Sequence, residues 1–181
     1  PVMDAVFNRM DRAVVHGSTF SKNNLAMAAG LATLQVMEEE KLVERAAALG
    51  GQIITDLQAL VSRHEFLKEV RGKGMMIALE FGSPKSLSLK AAWSFLETAN
   101  KGLFCQMIAI PLFKNHRILT QTAGHGMNVV KLLPPLVIGE RDREWLVSSL
   151  DAVIADCHKV PGSVWELGKT LAGQALKAKA G

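Results

Sequence analysis

The sequence contains no tyrosine, and aromatic residues make up only 6% of its 181 positions. A core of this composition is expected to be aliphatic, with the eight methionines filling gaps in the packing. Cysteine is also scarce. Cys105 and Cys157 have neither the spacing of a disulfide framework nor that of a zinc site. We therefore exclude a disulfide-stapled domain, predict no metal site, and expect a reduced, cytoplasmic setting.

Long apolar runs are missing as well. No stretch approaches the roughly 20 residues that a membrane-spanning helix requires, and no signal peptide opens the chain. The net charge is only +4 and no basic stripe is interleaved with aromatic residues, so no nucleic-acid partner is expected. The chain starts at Pro1, not at Met, and continues at once with sequence typical of packed structure. We therefore expect it to be the C-terminal part of a longer protein.

A long helical segment is predicted from residue 25 onward. Its first half is crowded with alanine and glycine on several faces, which indicates close approach to another element. Ser21 and Asn23 are both candidates for its N-cap, and the glutamates at positions 38–40 either face solvent or begin a second helix. In the second half one apolar face recurs every three or four positions: Leu42, Ala46, Leu49, Ile53, Leu57 and Leu60.

The periodicity then changes. Short, bounded apolar runs predict three strands, over residues 75–81, 104–112 and 129–133. Helices are predicted between and after them, over residues 87–100 and 140–160, with a weaker, peripheral one over 164–180. This order predicts an α+β fold, in which a long helix is followed by a small, mainly antiparallel sheet with helices packed on one face.

Two positions are candidates for ligand contacts. The string His16-Gly17-Ser18-Thr19 precedes a helix, where hydroxyl and backbone N–H groups can bind an anion, although an ordinary helix cap explains the same pattern. Lys131 is charged, lies in an apolar strand and precedes a diproline. It is placed either to meet a carboxylate or phosphate, or on the exposed face of a half-buried strand. No nucleophile elbow or catalytic triad is present.

The segment over residues 71–74 contains two glycines and two basic residues, which suggests a phosphate-binding loop. It lacks the full length of such a loop and precedes a strand instead of a helix. We therefore predict a simple turn. His125, between two glycines, is a candidate acid or base for which no partner can be named.

In their order along the chain, these segments resemble the class III aminotransferases. His16-Gly17-Ser18-Thr19-Phe20 and the alanine-rich helix resemble the family's His-x-x-Thr-Phe segment and the helix after it. Residues 21–24 depart from the Gly-Gly-Asn-Pro that is usual there. Residues 70–75 resemble the family's Arg-Gly-x-Gly turn before a strand, and residues 132–138 its Pro-Pro-Leu strand end. The resemblance extends to about Val160.

This resemblance implies a pyridoxal 5'-phosphate enzyme of fold type I that transfers an amino group between an amine or amino acid and a keto acid. It implies that Thr19, with Ser18 beside it, contacts the cofactor phosphate across a homodimer interface. Lys131 occupies the place of an arginine that holds a substrate carboxylate in many members. Lysine lacks the planar fork of arginine, so this departure leaves the substrate class open.

The family's Schiff-base lysine lies upstream of the His-x-x-Thr-Phe segment, in a stretch that this sequence does not contain. We therefore assign no catalytic residue here and expect the chain alone to be inactive. Residues 1–35 are expected to end the large cofactor domain and start the linking helix, residues 36–160 to form the small C-terminal domain, and residues 161–181 a peripheral helical tail. An aminomutase or other fold type I enzyme, or a non-catalytic interaction domain, remains an alternative.

Overall fold

The computed structural model describes residues 2–13, 19–21 and 23–180. The chain divides into two units, one that ends at Lys41 and one that begins at Leu42. This division falls a little after the predicted end of the first domain at residue 35, and the assignment of the segments to domains stays a prediction. The first unit contains helices α1 (Val2–Phe7), α2 (Met10–Ala13) and α3 (Asn24–Glu39).

The predicted long helix is two helices, α3 and α4 (Leu42–Ala59). Glu40 ends α3 by donating its backbone N–H to the Val36 carbonyl at 2.9 Å. Lys41 then takes a left-handed conformation with φ 50°, which breaks the helical path. The predicted apolar face of α4 is confirmed, because Leu49, Ile53 and Leu57 are buried along it.

The second unit is a helix-and-sheet structure. After α4 come β1 (Leu67–Lys73), β2 (Met76–Phe81), α5 (Leu87–Ala99), α6 (Leu103–His116), β3 (Gln121–Thr122), β4 (Val129–Leu132), α7 (Glu140–Asp156) and α8 (Ser163–Ala180). The strands form one antiparallel sheet in the order β1-β2-β4-β3, against which α4 and α6 pack. The expected α+β fold with a small antiparallel sheet is confirmed.

The prediction of a strand over residues 104–112 was wrong, because this segment forms α6. Phe104, Met107 and Ile108 are completely buried on it, as is Leu112 one turn later. The segment has almost no polar positions, so the period that separates a strand from a buried helix is hidden in its sequence.

The first strand of the hairpin was also missed. Residues 71–73, predicted as part of a turn, continue β1, and only Gly74 and Met75 connect it to β2. Gly74 has φ +56°, a conformation that glycine adopts without strain. Gly50 of α4 approaches this turn so closely that a Cβ added there would lie 2.2 Å from the Gly74 carbonyl oxygen. The contact explains why α4 has a glycine on its buried face.

The few aromatic residues are concentrated in one cluster of the core. Phe104 lies at its centre, with ring centroids 4.6 Å from Phe66, 4.9 Å from Trp93 and 5.5 Å from Phe81. Trp165 joins it at 6.2 Å from Phe66. The start of α8 therefore packs into the core, where the sequence suggested a peripheral tail. Most methionines are exposed and do not fill gaps: Met3, Met10, Met27, Met76 and Met127.

Candidate functional site

Thr19 lies in an exposed turn, residues 19–21, directly before α3. Asn23 holds the start of that helix. Its side-chain oxygen accepts the Ala26 backbone N–H at 2.8 Å, and its amide donates to the Phe20 carbonyl at 2.8 Å. Of the two predicted cap residues, Asn23 thus takes the role. His16, Gly17 and Ser18 lie outside the described residues, so the prediction for Ser18 stays a prediction.

The Thr19 hydroxyl takes no part in the contacts among the described residues. It makes no hydrogen bond to any residue in the described ranges, and its side chain is exposed. A threonine that capped α3 would instead accept a first-turn N–H group. Thr19 therefore presents an exposed hydroxyl a few residues before a helix N-terminus, the positive end of the helix dipole, which favours an anion such as a phosphate.

Lys131 is half-buried on β4, opposite Ala78 of β2 on one side and Gln121 of β3 on the other. The Thr120 hydroxyl donates to the Lys131 carbonyl oxygen at 2.7 Å, which fixes the loop before β3 against β4. Lys131, Thr120, Gln121, Leu119 and Leu133 line a cleft of about 370 Å³.

Two cations lie in one row across the sheet, because Arg71 of β1 is also opposite Ala78. The Arg71 guanidinium is already paired. It donates to the Glu80 carboxylate at 2.5 Å and to the Glu69 carboxylate at 3.1 Å, and these carboxylates raise its pKa. Lys131 has no ion-pair partner in the part of the chain that the structure describes. It is therefore the cation of this row that is available to a carboxylate ligand.

Sequence reasoning singled out Lys131 but missed its neighbours. Gln121 and Thr120 fall in a stretch that reads only as polar connecting sequence, and no periodicity marks a two-residue strand. Their place beside Lys131 is set by the strand register. Thr19 and Lys131 belong to different units of the chain.

The surroundings of the remaining titratable candidates are those of residues that serve the fold or face solvent. His64 is buried and contacts the Asp151 carboxylate at 2.6 Å, a pairing that satisfies a polar core residue. Burial raises the pKa of the Cys105 thiol to about 12, and burial also raises that of Cys157. Thiols held in the protonated state are poor nucleophiles. His125 is exposed in the loop between β3 and β4, without a hydrogen-bonding partner among the described residues.

Within residues 2–13, 19–21 and 23–180, no group of acidic, histidine and cysteine side chains is arranged to hold a metal ion. The helices in these same ranges are all too short or too polar to cross a bilayer.

Comparison with known proteins gives a consistent picture. Residues 2–154 match the family model described as aminotransferase class-III. The chain is 36% identical over 143 residues to an ornithine aminotransferase of Bacillus cereus, covering 77% of this chain and 29% of that protein. It is 35% identical over 137 residues to a diaminobutyrate–2-oxoglutarate aminotransferase of Rhizobium meliloti, covering 76% and 28%. The chain thus spans less than a third of the length of these relatives.

Solved structures agree. An amine transaminase from an uncultivated Pseudomonas species, in a PLP-bound form, superposes with a TM-score of 0.61 at 30% identity, covering 86% of this chain and 33% of that one. An acetylornithine aminotransferase from Elizabethkingia anophelis superposes with a TM-score of 0.56 at 30% identity, covering 77% and 32%.

Proposed function

The chain belongs to the class III aminotransferase family, and we propose that it is the C-terminal part of a pyridoxal phosphate-dependent enzyme that moves an amino group from an amine or amino acid to a keto acid. The observation that carries this proposal is the family match over residues 2–154, on a fold shared with solved transaminases. Residues upstream of this sequence would supply the catalytic lysine, as they do in the family.

The residues present fit the cofactor at its phosphate. The exposed hydroxyl of Thr19, which has no hydrogen-bond partner among the described residues, precedes α3, and backbone N–H groups and the dipole at a helix N-terminus favour an anion. We assign Thr19 and Ser18 to the phosphate oxygens, with Thr19 donating through its hydroxyl and its backbone N–H. When bound, the cofactor supplies the carbon that takes up the amino group and the ring that withdraws electrons from the substrate.

Lys131 is assigned to the substrate carboxylate. Its ammonium group is not neutralised by any described side chain, and Gln121 beside it offers an amide as a second donor. An ammonium is a point charge on a flexible stem, so it orients a carboxylate less strictly than the bidentate guanidinium that many family members have at this place. We infer that Lys131 orients the acid end of the substrate while the reacting carbon is held at the cofactor.

The complete enzyme is proposed to be a cytoplasmic homodimer. No residue of α3 is buried, and the helix exposes Leu25, Leu31 and Leu34. A helix that is apolar on most faces needs a covering surface, and a second copy of the protein together with the large domain would provide it. The two buried free thiols, Cys105 and Cys157, agree with a reducing compartment.

The carboxylate assignment is tested in the full-length enzyme with Lys131→Met, which keeps the aliphatic stem and removes the charge. Loss of a charge-assisted contact, about 1.5–3 kcal/mol, should lower kcat/KM for a keto acid about ten- to a hundredfold. The kcat/KM for an aldehyde acceptor without a carboxylate should be unaffected, and Lys131→Arg should restore the kcat/KM for the keto acid. An equal loss for both acceptors would refute the carboxylate role.

A further inference from the structure

A second cleft, of about 310 Å³, adjoins the Lys131 cleft, and Leu119 and Leu133 line both. Its volume lies at the lower end of the range of about 300–1,000 Å³ that small-molecule sites occupy. We call it the apolar groove, after the side chains that form most of its wall: Ile118, Leu132, Pro134, Ile138, Trp145 and Leu146.

Hydrogen bonds hold the walls of the apolar groove in place. The Trp145 indole donates to the His116 carbonyl at 3.0 Å, and the Arg45 guanidinium donates to the Ile138 carbonyl at 2.6 Å. Two consecutive prolines, residues 134–135, restrict the backbone of the segment that leads from β4 to Ile138. A groove formed before the ligand arrives costs little conformational entropy on binding.

The charges at the groove favour an acid. Asp142 is the acidic residue among those that line the groove, and its carboxylate accepts the Gly139 backbone N–H at 2.9 Å in the first turn of α7. Arg117, which lines the groove, and Lys131, which lines the adjoining cleft, form no ion pair with any described residue. The lining of the two clefts therefore carries two positive charges and one negative charge, and it combines this net positive charge with an apolar wall.

Large apolar side chains that line the groove are exposed to water. Leu119 is 84% exposed, Leu133 57% and Trp145 53%. A ligand with an aliphatic chain that lay along these three would remove apolar surface from water at each of them, which is favourable.

We propose that Lys131 and the apolar groove together bind acids with an unbranched aliphatic chain. The carboxylate contacts the Lys131 ammonium, and the chain passes over Leu119 and Leu133 toward Trp145. This inference rests on the proposed function, because it takes Lys131 as the carboxylate site. It adds the substrate class, which is aliphatic amino and keto acids instead of the polar diamino acids named for the relatives.

The test is a titration of the 181-residue chain, followed by NMR, with butyrate, hexanoate and octanoate at concentrations below micelle formation. Each added methylene should tighten binding about fourfold, which is the conversion of about 0.8 kcal/mol per buried CH2. The signals of Leu119, Lys131 and Leu133 should shift with all three acids.

Three variants separate the parts of the site. Lys131→Met should weaken the binding of all three acids by a similar factor and leave the dependence of affinity on chain length intact. The double variant Leu119→Ser with Leu133→Ser should abolish that dependence and leave the affinity for butyrate unchanged. Leu87→Ser, which changes a leucine that is 85% exposed on α5, is the matched control and should change nothing.

The outcomes distinguish this inference from the proposed function beneath it. Binding that needs Lys131 but does not strengthen with chain length would overturn the aliphatic class and keep the carboxylate site. Binding that strengthens with chain length but is indifferent to Lys131→Met would overturn the inference and count against the carboxylate site. Absence of binding by all three acids would contradict both.

Discussion

At the scale of single residues, two side chains before α3 have separate roles. Asn23 caps the helix, with its side-chain oxygen 2.8 Å from the Ala26 nitrogen, whereas the exposed Thr19 hydroxyl has no partner among the described residues. A variant at one position should therefore change helix stability, and a variant at the other should change ligand binding. This separation makes the phosphate role of Thr19 testable without unfolding the protein.

The Glu65 carboxylate makes a contribution to stability that depends on pH. It accepts the Ser86 hydroxyl at 2.5 Å and the Ser86 and Lys85 N–H groups at 2.8 Å each, at the start of α5. These bonds lower its pKa from 4.5, the hydroxyl bond most. Since the folded-state pKa lies below the unfolded-state value, the carboxylate stabilises the fold above pH 4.5, and this contribution is lost as the pH falls through the folded-state pKa.

We therefore expect Glu65→Gln to lower the melting temperature at pH 7, and this deficit to shrink as the pH falls below about 4, where wild type also loses the charge. Thermal unfolding followed by circular dichroism at several pH values measures it. Glu144→Gln, which changes an exposed glutamate on α7, is the control and should show little deficit. A deficit for Glu65→Gln that stays constant down to pH 3 would contradict this account.

Residues at the site differ in how far the sequence predicts them. Lys131 stands out because a charge interrupts an apolar run, and Thr19 stands out within a family motif. Gln121 and Glu65 have no such signal. Gln121 meets Lys131 only through strand register, and Glu65 meets Ser86 only after the chain has passed through a hairpin. Contacts created by tertiary pairing leave no local pattern in the sequence.

At the scale of elements, short bounded apolar runs predict β2 and β4, and the period of apolar residues predicts α4, which has one buried and one exposed face. It fails for α6, where Phe104, Met107 and Ile108 belong to a helix that is buried on most sides. It also fails for β1, whose outward-facing charges and glycine, Gly72, resemble a turn. A single buried face therefore makes a helix predictable from local sequence, whereas an apolar run without alternation does not separate a strand such as β4 from a buried helix such as α6.

The contact between α4 and the β1–β2 hairpin yields a paired prediction. Gly50→Ala should destabilise the fold by about 1–3 kcal/mol, because the added Cβ would overlap the backbone of Gly74. Gly51→Ala meets nothing within 4 Å and should stabilise α4 by about 0.5–1 kcal/mol. Urea unfolding of the two variants measures both. Equal effects of the same sign would show that the close approach does not exist.

At the scale of the whole molecule, the chain is a small α+β unit preceded by a short helical unit, and it spans less than a third of the length of its relatives. We expect the 181-residue chain alone to show no transamination with any amine donor, because the family's lysine-bearing segment is not in this sequence. Incubation with pyridoxal phosphate and borohydride should leave no single lysine stoichiometrically labelled. Specific labelling of one lysine, with turnover, would refute this expectation.

The most direct test of the central claim is a cofactor titration of the full-length enzyme carrying Thr19→Ala, Thr19→Ser or Asn23→Ala. Loss of the Thr19 hydroxyl removes a charge-assisted bond of about 1.5–3 kcal/mol, so Thr19→Ala should raise the cofactor Kd about ten- to a hundredfold, while Thr19→Ser keeps most of the affinity. Asn23→Ala should cost about 1 kcal/mol of stability and leave the Kd of the folded enzyme unchanged. Equal dissociation constants for wild type and both Thr19 variants would contradict the phosphate role.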